Sequence, residues 1–538
     1  MDVLFTGGRL FGTDASFLLV RGEHIAALGG DEVRERAAPG TELVDLRGRL
    51  LLPGFQDAHV HAVLGGLELG LCDLSGTTDV GEYLRRIRDY ADTRPDAGWI
   101  TGGGWSMESF AGGVPGKALL DGIAGGRPVF LMNRDHHAGW VNSRALELAG
   151  ITAGTPDPAD GRIDRDAHGE PVGCLQEGAM ALVAGLVPEV TPGERLAGLL
   201  RAQELLHSLG VTAWQDAMLC GANGYPDHSD AYLAAAADGS LLSRVEGALW
   251  WNRDRGAEQI ETLLQQRDTF SVGNLRSRSV KFMLDGVAEN FTAAMTAPYR
   301  DRCGHPTGNS GLSFVDPAAL AEYVTAVDAL GFQAHFHALG DRAVREALDA
   351  VAAARKANGM RDTRPHLAHL QVVHPDDVRR FAALGATANI QAYWATHEPQ
   401  MDELTIPFLE PSLAGWQYPF GDLARAGARL AAGSDWPVTT ADPLLGVHTA
   451  VNRAHPGSGE PPFLAGQALG ISPALTAYTK GSAFVNHRDD SGELRPGHRA
   501  DLVVLDRDLL AGPAEAIAEA RVDLTYVGGS LVYSSRDA

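Results

Sequence analysis

Apolar and polar positions change period repeatedly along the chain. Short runs that are continuously apolar or alternate with period two give way to longer runs of helical period, the order expected of a parallel sheet with crossover helices. Eight strand candidates stand out: Gln56–His61, Val211–Ala217, Leu242–Trp251, Ser279–Asp285, Phe332–His337, Pro365–Leu370, Ala386–Ala392 and Arg429–Asp435. Helical segments at Leu196–Leu209, Asp341–Asn358, Pro375–Leu384 and Phe420–Ala426 lie between several of them. Eight strands with intervening helices predict an α/β fold, a (β/α)₈ barrel of the TIM type, with its chemistry at the C-terminal strand ends.

The ends of the chain read differently. Val3–Thr6, Phe17–Arg21, His24–Ala27 and Glu42–Asp45 are short strands broken by Gly-containing turns, and Asp501–Leu505, Asp523–Val527 and Ser530–Tyr533 resemble them. Neither set is large enough to be stable alone. Residues 1–54 and 491–538 are therefore expected to pair into one small β-sandwich, the alternative being two separate hairpins. Residues 55–490 are left for the barrel. About 150 residues separate the first barrel strand from the second, far beyond an ordinary βα connection. This insert, taken as residues 72–205, contains a helical run (Val80–Tyr90), strand-like Trp99–Gly102 and Val129–Met132, and a hairpin from Arg162. It leaves from the catalytic end of the barrel and is expected to cap it.

Composition narrows the classes. The 538 residues carry 45% hydrophobic and 21% charged positions, ordinary for a globular protein. A net charge of −23 argues against nucleic acid or an anionic membrane surface as partner. Cys72, Cys174, Cys220 and Cys303 are scattered and form no CxxC pair, which fits a reducing compartment. With no secretory signal pattern and no apolar run of membrane-spanning length, a cytoplasmic protein is expected. Symmetric dimers are the commonest oligomers, so a homodimer is expected on base rate alone.

Candidate chemistry starts at Gln56-Asp-Ala-His-Val-His61. Strand alternation puts Asp57, His59 and His61 on one face, and two imidazoles at that spacing can reach one transition-metal ion. The plainer reading is a pair of half-buried strand histidines. Later strands add Lys281, then His335 and His337, then His366 and His369, and finally Asp435. Such residues at the ends of strands one, four, five, six and eight are hard to ascribe to packing.

These motifs resemble the amidohydrolase superfamily, and within it the branch of the N-substituted formamide deformylases. The resemblance rests on Pro53-Gly-Phe-Gln-Asp-Ala-His-Val-His61, His337-Ala-Leu-Gly-Asp-Arg-Ala343, His369, Gly433-Ser-Asp-Trp-Pro437 and Gly497-His-Arg-Ala-Asp-Leu-Val-Val-Leu505. It implies that His59, His61, Lys281, His337, His369 and Asp435 ligate one or two divalent ions, zinc by expectation. It also implies an N6-carboxylated Lys281. A protonated lysine would be repelled by two cations, whereas a carbamate can bridge them and leaves a net charge of about +1 at the centre. The alternative is an ion pair between Lys281 and Asp285. The implied reaction is hydrolysis of a non-peptide C–N bond in a small molecule (amide, formamide or cyclic amide) by a metal-activated hydroxide, with Asp435 as proton shuttle. The same centre could serve decarboxylation, dehydration, cyclisation or ester hydrolysis instead, since function resides in the loops. A non-catalytic barrel fits less well, because all six ligand positions are filled.

In the insert, Trp105, His136, His137 and Trp140 are candidates to line a substrate pocket, as are Tyr393 and Trp394 past strand seven. His335 reads as a core histidine or a partner of a ligand, and Asp57 similarly. Asp341 reads as a helix N-cap. His366 reads as structural, on the strand face opposite His369.

Overall fold

A computed structural model describes residues 2–223 and 225–536. Residues 1, 537 and 538, which the sequence places in the terminal β-unit, lie outside the described residues. The barrel strands are β1 (Phe55–Val60), β2 (Val211–Leu219), β3 (Arg244–Trp250), β4 (Leu275–Met283), β5 (Gln333–Ala338), β6 (His366–His369), β7 (Thr387–Ile390) and β8 (Arg429–Ala432). They form one eight-stranded sheet in sequence order, each paired parallel to the next. Between β8 and β1 the ring closes through two backbone bonds just past the strands: Asp435 N donates to His59 O at 2.8 Å, and His61 N to Trp436 O at 2.9 Å.

The local causes are the expected ones. All nine residues of β2 are buried, as a strand covered on both faces requires. The helix Asp341–Asn358 buries Ala343, Val344, Ala347, Leu348 and Val351, one face at helical spacing. The barrel interior carries a polar column: Gln215 Nε2 donates to Gln333 Oε1 at 3.0 Å, and Gln333 Nε2 to the carbonyls of Arg364 and Val485. Every one of these amides is buried, so leaving them unpaired would cost about 1–3 kcal/mol each.

Leu502–Leu505 pairs antiparallel with Leu50–Pro53, so both ends of the chain share one five-stranded sheet. A four-stranded sheet of Val3–Thr6, Phe17–Arg21, His24–Gly29 and Glu42–Asp45 packs on it through Phe5, Leu18, Val20, Leu51, Leu502 and Tyr526. The insert after β1 builds a six-stranded sheet, in the order Gly161–Arg165, Pro171–Glu177, Ala138–Val141, Val129–Asn133, Ile100–Trp105 and Cys72–Asp73. The sequence signalled only fragments of it, because Ile100–Trp105 holds three glycines and Ala138–Val141 has only four residues. No described helix is long and apolar enough to cross a membrane.

Two boundaries differ from expectation in a way that matters for the site. β1 ends at Val60, and His61 caps the helix Ala62–Glu68. β8 ends at Ala432, and Asp435 stands beyond the ladder with φ +56°. The helix after β1 is seated by a backbone-to-backbone approach. A Cβ on Gly66 would lie 1.9 Å from the carbonyl oxygen of Gly198 in the helix Pro192–Ser208. Gly66→Ala is expected to destabilise the protein by about 1–3 kcal/mol through this overpacking. Gly193→Ala, at an open position of the facing helix, should be neutral or slightly stabilising. Thermal unfolding of the two variants checks the pair; equal midpoints would refute the close-approach account.

Candidate metal centre

The six side chains implied as ligands meet at the C-terminal mouth of the barrel and line one cavity of about 610 Å³. His59 Nε2 and His61 Nε2 each lie 3.2 Å from Asp435 Oδ1, and His369 Nδ1 lies 3.9 Å from Asp435 Oδ2. Lys281 Nζ is 3.2 Å from His59 Nε2. The His337 and His369 rings are 4.5 Å apart. One ligand atom from each of His59, His369 and Asp435 falls within 4.8 Å of the other two.

Backbone strain aims two of these side chains. Alternation along β6 would turn His369 away from the interior face that His366 occupies. The chain instead takes φ +80° at His369 and +53° at Leu370, which brings the imidazole into the mouth. Asp435 is held likewise at φ +56°. Such conformations cost about 1–3 kcal/mol each and cluster where function over-determines them. Gln391 Oε1 secures the first by accepting from His369 N. Asp57 secures the second end of the ring by accepting from His59 N at 2.9 Å and Ser434 N at 3.1 Å. Burial raises the Asp57 pKa to about 7 despite these bonds.

The charge states fit a divalent ion. Burial and the neighbouring Lys281 lower the His59 pKa to about 3, and burial likewise holds His337 and His369 far below the usual imidazole range. Neutral imidazole is the form that binds metal. Burial opposes charge on Asp435, yet His59, His61 and His369 keep its carboxyl well below the usual carboxylate range. Asp435 Oδ1 and His369 Nδ1 are buried with no hydrogen-bond partner, although imidazoles crowd the former. Donor atoms that converge on a common space without bonding one another are what a cation would satisfy.

His335 is part of this assembly. Its Nε2 lies 2.9 Å from His59 Nδ1 and 3.5 Å from Lys281 Nζ. With a metal on Nε2 of His59, the proton of that neutral ring would sit on Nδ1 and be donated to His335. Depth in the strand pattern could not reveal that contact. His366 sits beneath it, its ring 4.0 Å from that of His335 and its nitrogens bonded to Gln215 and Asn389. It is structural as expected, but it faces the barrel interior, because the turn at His369 breaks the alternation on which the opposite-face expectation relied.

Other expectations need correction. Lys281 does not pair with Asp285, whose carboxylate accepts from the backbone N–H groups of Ala294, Leu339 and Gly340. Asp341 is the first residue of its helix, not the cap, and holds Thr296 N at 2.8 Å. Trp105 and Trp140 are fully buried in the cap core against Phe110 and do not line the cavity. Trp394 stacks on His369 with ring centroids 5.3 Å apart, Tyr393 turns away to stack on His455, and neither lines the cavity.

His136 and His137 do line the cavity. They sit at the tip of the hairpin between Val129–Asn133 and Ala138–Val141, which Arg134 fixes to the barrel through Glu398 and Gln400. His136 lies 3.4 Å from Glu68. His137 Nδ1 bonds Glu177 Oε2 at 2.8 Å, and Glu177, at φ +51°, also accepts from Thr292. Burial alone would lower the His137 pKa, but the Glu177 carboxylate lifts it to about 9. Leu64, Leu67, Leu71, Met180 and Met283 make much of the remaining wall apolar.

Comparison with known proteins agrees with this geometry. The amidohydrolase family model matches residues 42–533. The chain belongs to the amidohydrolase family. It is 28% identical to the N-substituted formamide deformylase of Arthrobacter pascens, over 96% of this chain and 95% of that one. It is 31% identical to the protein LONG AFTER FAR-RED 3 of Arabidopsis thaliana, over 99% and 91%. Among solved structures, an uncharacterized metal-dependent hydrolase of Pyrococcus horikoshii superposes with a TM-score of 0.74 at 26% identity, covering 96% of this chain and 99% of that one. As an amidohydrolase the protein is a hydrolase that uses a divalent metal. Removing a hydrogen-bond partner of a ligand typically costs about 10–100-fold in metal affinity. His335→Ala should show that loss in a chelator competition at constant pH, while retaining the fold by circular dichroism. Unchanged affinity would reduce His335 to core packing.

Proposed function

We propose that this amidohydrolase cleaves the carbon–nitrogen bond of a small non-peptide amide, formamide or cyclic amide whose remaining bulk lies against apolar walls. The observation that supports this most is the Asp435 carboxylate, held well below the usual carboxylate range, in a cavity of about 610 Å³ with the imidazole nitrogens of His59 and His61 each 3.2 Å from it. A cavity of that size suits a small organic ligand.

His59, His61, His337, His369 and Asp435 would hold a divalent ion, zinc by preference, and Lys281 would add a carbamate oxygen once carboxylated. When bound, the metal lowers the pKa of a water from about 15.7 toward 7 and polarises a carbonyl. Burial lowers the Lys281 pKa to about 7, against the pull of Asp435 and Asp216. A large share of the amine is therefore unprotonated at neutral pH. That form attacks CO₂: a bond forms from Nζ to the carbon, and one proton leaves to solvent.

The chain's own residues supply the rest. Asp435 accepts a proton from the attacking water and returns it to the departing nitrogen. His137 offers an imidazolium Nε2–H to the oxygen on which negative charge builds, its other nitrogen being occupied by Glu177. The apolar walls exclude water from the substituents.

A panel of N-substituted formamides, carboxamides, cyclic amides, esters and dipeptides tests the reading by product analysis. Turnover should be confined to the non-peptide amides and should fall about 10²–10⁴-fold in Asp435→Asn with the fold intact. Preferred cleavage of esters or dipeptides would overturn the assignment, and near-wild-type turnover in the variant would remove Asp435 from proton transfer. The His137 charge gives a pH signature. A pKa raised to about 9 keeps the imidazolium present below that pH and loses it above, so kcat/KM should decline as pH rises through about 9. Glu177→Gln removes the strongest of the groups that raise the His137 pKa and leaves burial opposed only by the more distant charges of Asp135 and Asp435, so the pKa should fall and activity at pH 8 should drop about tenfold or more. An alkaline limb that stays in place in the variant would exclude His137.

A further inference from the structure

Away from the barrel mouth, one other group of described residues brings together three different metal-ligating side chains. Asp301, Cys303 and His305 stand on the loop that follows β4, and one ligand atom of each lies within 4.8 Å of the other two. The loop is tightly built. Arg300 and Pro306 form an antiparallel bridge, Asp301 N donates to His305 O at 2.8 Å, and Gly304 N donates to Asp301 O at 2.9 Å. Gly304, at φ +81°, makes the reversal that side-chain-bearing residues avoid, and it brings His305 back beside Asp301. Asp301 Oδ1 accepts the N–H groups of Cys303 and His305 at 2.8 and 2.9 Å. Its Oδ2 is left 3.4 Å from His305 Nδ1.

We propose that Asp301, Cys303 and His305 form an accessory site for a zinc-class transition-metal ion, separate from the barrel centre. The donor set selects the ion. A thiolate with an imidazole suits zinc, cobalt(II) or copper, whereas magnesium and calcium call for oxygen donors throughout. The backbone ring already orients the carboxylate, so little ordering remains on binding. Three protein ligands leave a tetrahedral ion one position for water. All three residues are exposed, so an ion reaches them without any opening of the fold. Binding forms a metal–sulfur bond and releases the Cys303 thiol proton to solvent, so affinity weakens as pH falls.

The thiolate makes the site distinguishable. None of the six residues at the barrel mouth offers sulfur, and Cys72 and Cys174 are buried. Cobalt(II) titrated into the full-length holoenzyme should therefore produce a thiolate-to-cobalt charge-transfer band in the near ultraviolet, saturating at one equivalent. Cys303→Ser should abolish the band and retain one metal equivalent fewer after dialysis, with hydrolytic activity unchanged. His305→Ala should weaken the titration about tenfold or more. No band in the wild type, a band that survives Cys303→Ser, or full affinity in His305→Ala would each overturn the proposal. The last result would leave Asp301 and His305 as an ordinary surface ion pair.

Discussion

An ionised carboxylate encircled by imidazoles that burial keeps neutral is the constraint around which this barrel mouth is built. Asp435 keeps its charge against burial only because His59, His61 and His369 stand around it. The same burial holds the His59 and His369 rings below the usual imidazole range, with Lys281 adding to the effect at His59. The arrangement leaves donor atoms facing one another without hydrogen bonds, a cost that a cation relieves. The fold meets that cost with left-handed backbone at His369 and Asp435, and with Asp57 and Gln391 tying the ends of β1, β6 and the segment past β8 together. A site that must hold charge out of water is thus placed where strands from distant parts of the sequence share one rim.

The cap completes the chamber. Its core is its own, with Trp105, Trp140 and Phe110 packed against one another. The tip of one hairpin brings His136 and His137 to the cavity while Arg134 grips Glu398 and Gln400, and the segment from Glu177 to Val190 adds Met180, Ala181 and Val187 to the wall. The chamber thus combines apolar walls with a small number of polar and charged groups, the make-up common to small-molecule sites.

Much of this was legible in the sequence, for reasons that differ by residue. The eight strands showed because each is a buried apolar run between helical periods, and their positions agree to within a few residues of those observed. His59 and His61 showed because period-two spacing is visible without a structure, and Lys281, His337 and Asp435 because each stands near a strand end. What sequence could not convey was contact across the barrel. The bond from His335 to His59 joins residues 276 positions apart. The inward turn of His369 depends on a φ that no spacing rule contains. The aromatic residues misled in the opposite direction: Trp105 and Trp140 have the chemistry of a pocket wall, but a cap sheet too faint to read in the sequence needed them as its core.

The central claim, that the buried histidines, Lys281 and Asp435 exist to grip a divalent ion, is tested most directly by crystallography with data collected on both sides of a metal absorption edge. The account predicts an anomalous difference peak enclosed by His59, His61, His337, His369 and Asp435, with density extending from Lys281 Nζ. Fully active crystals with no anomalous peak among those residues would contradict it.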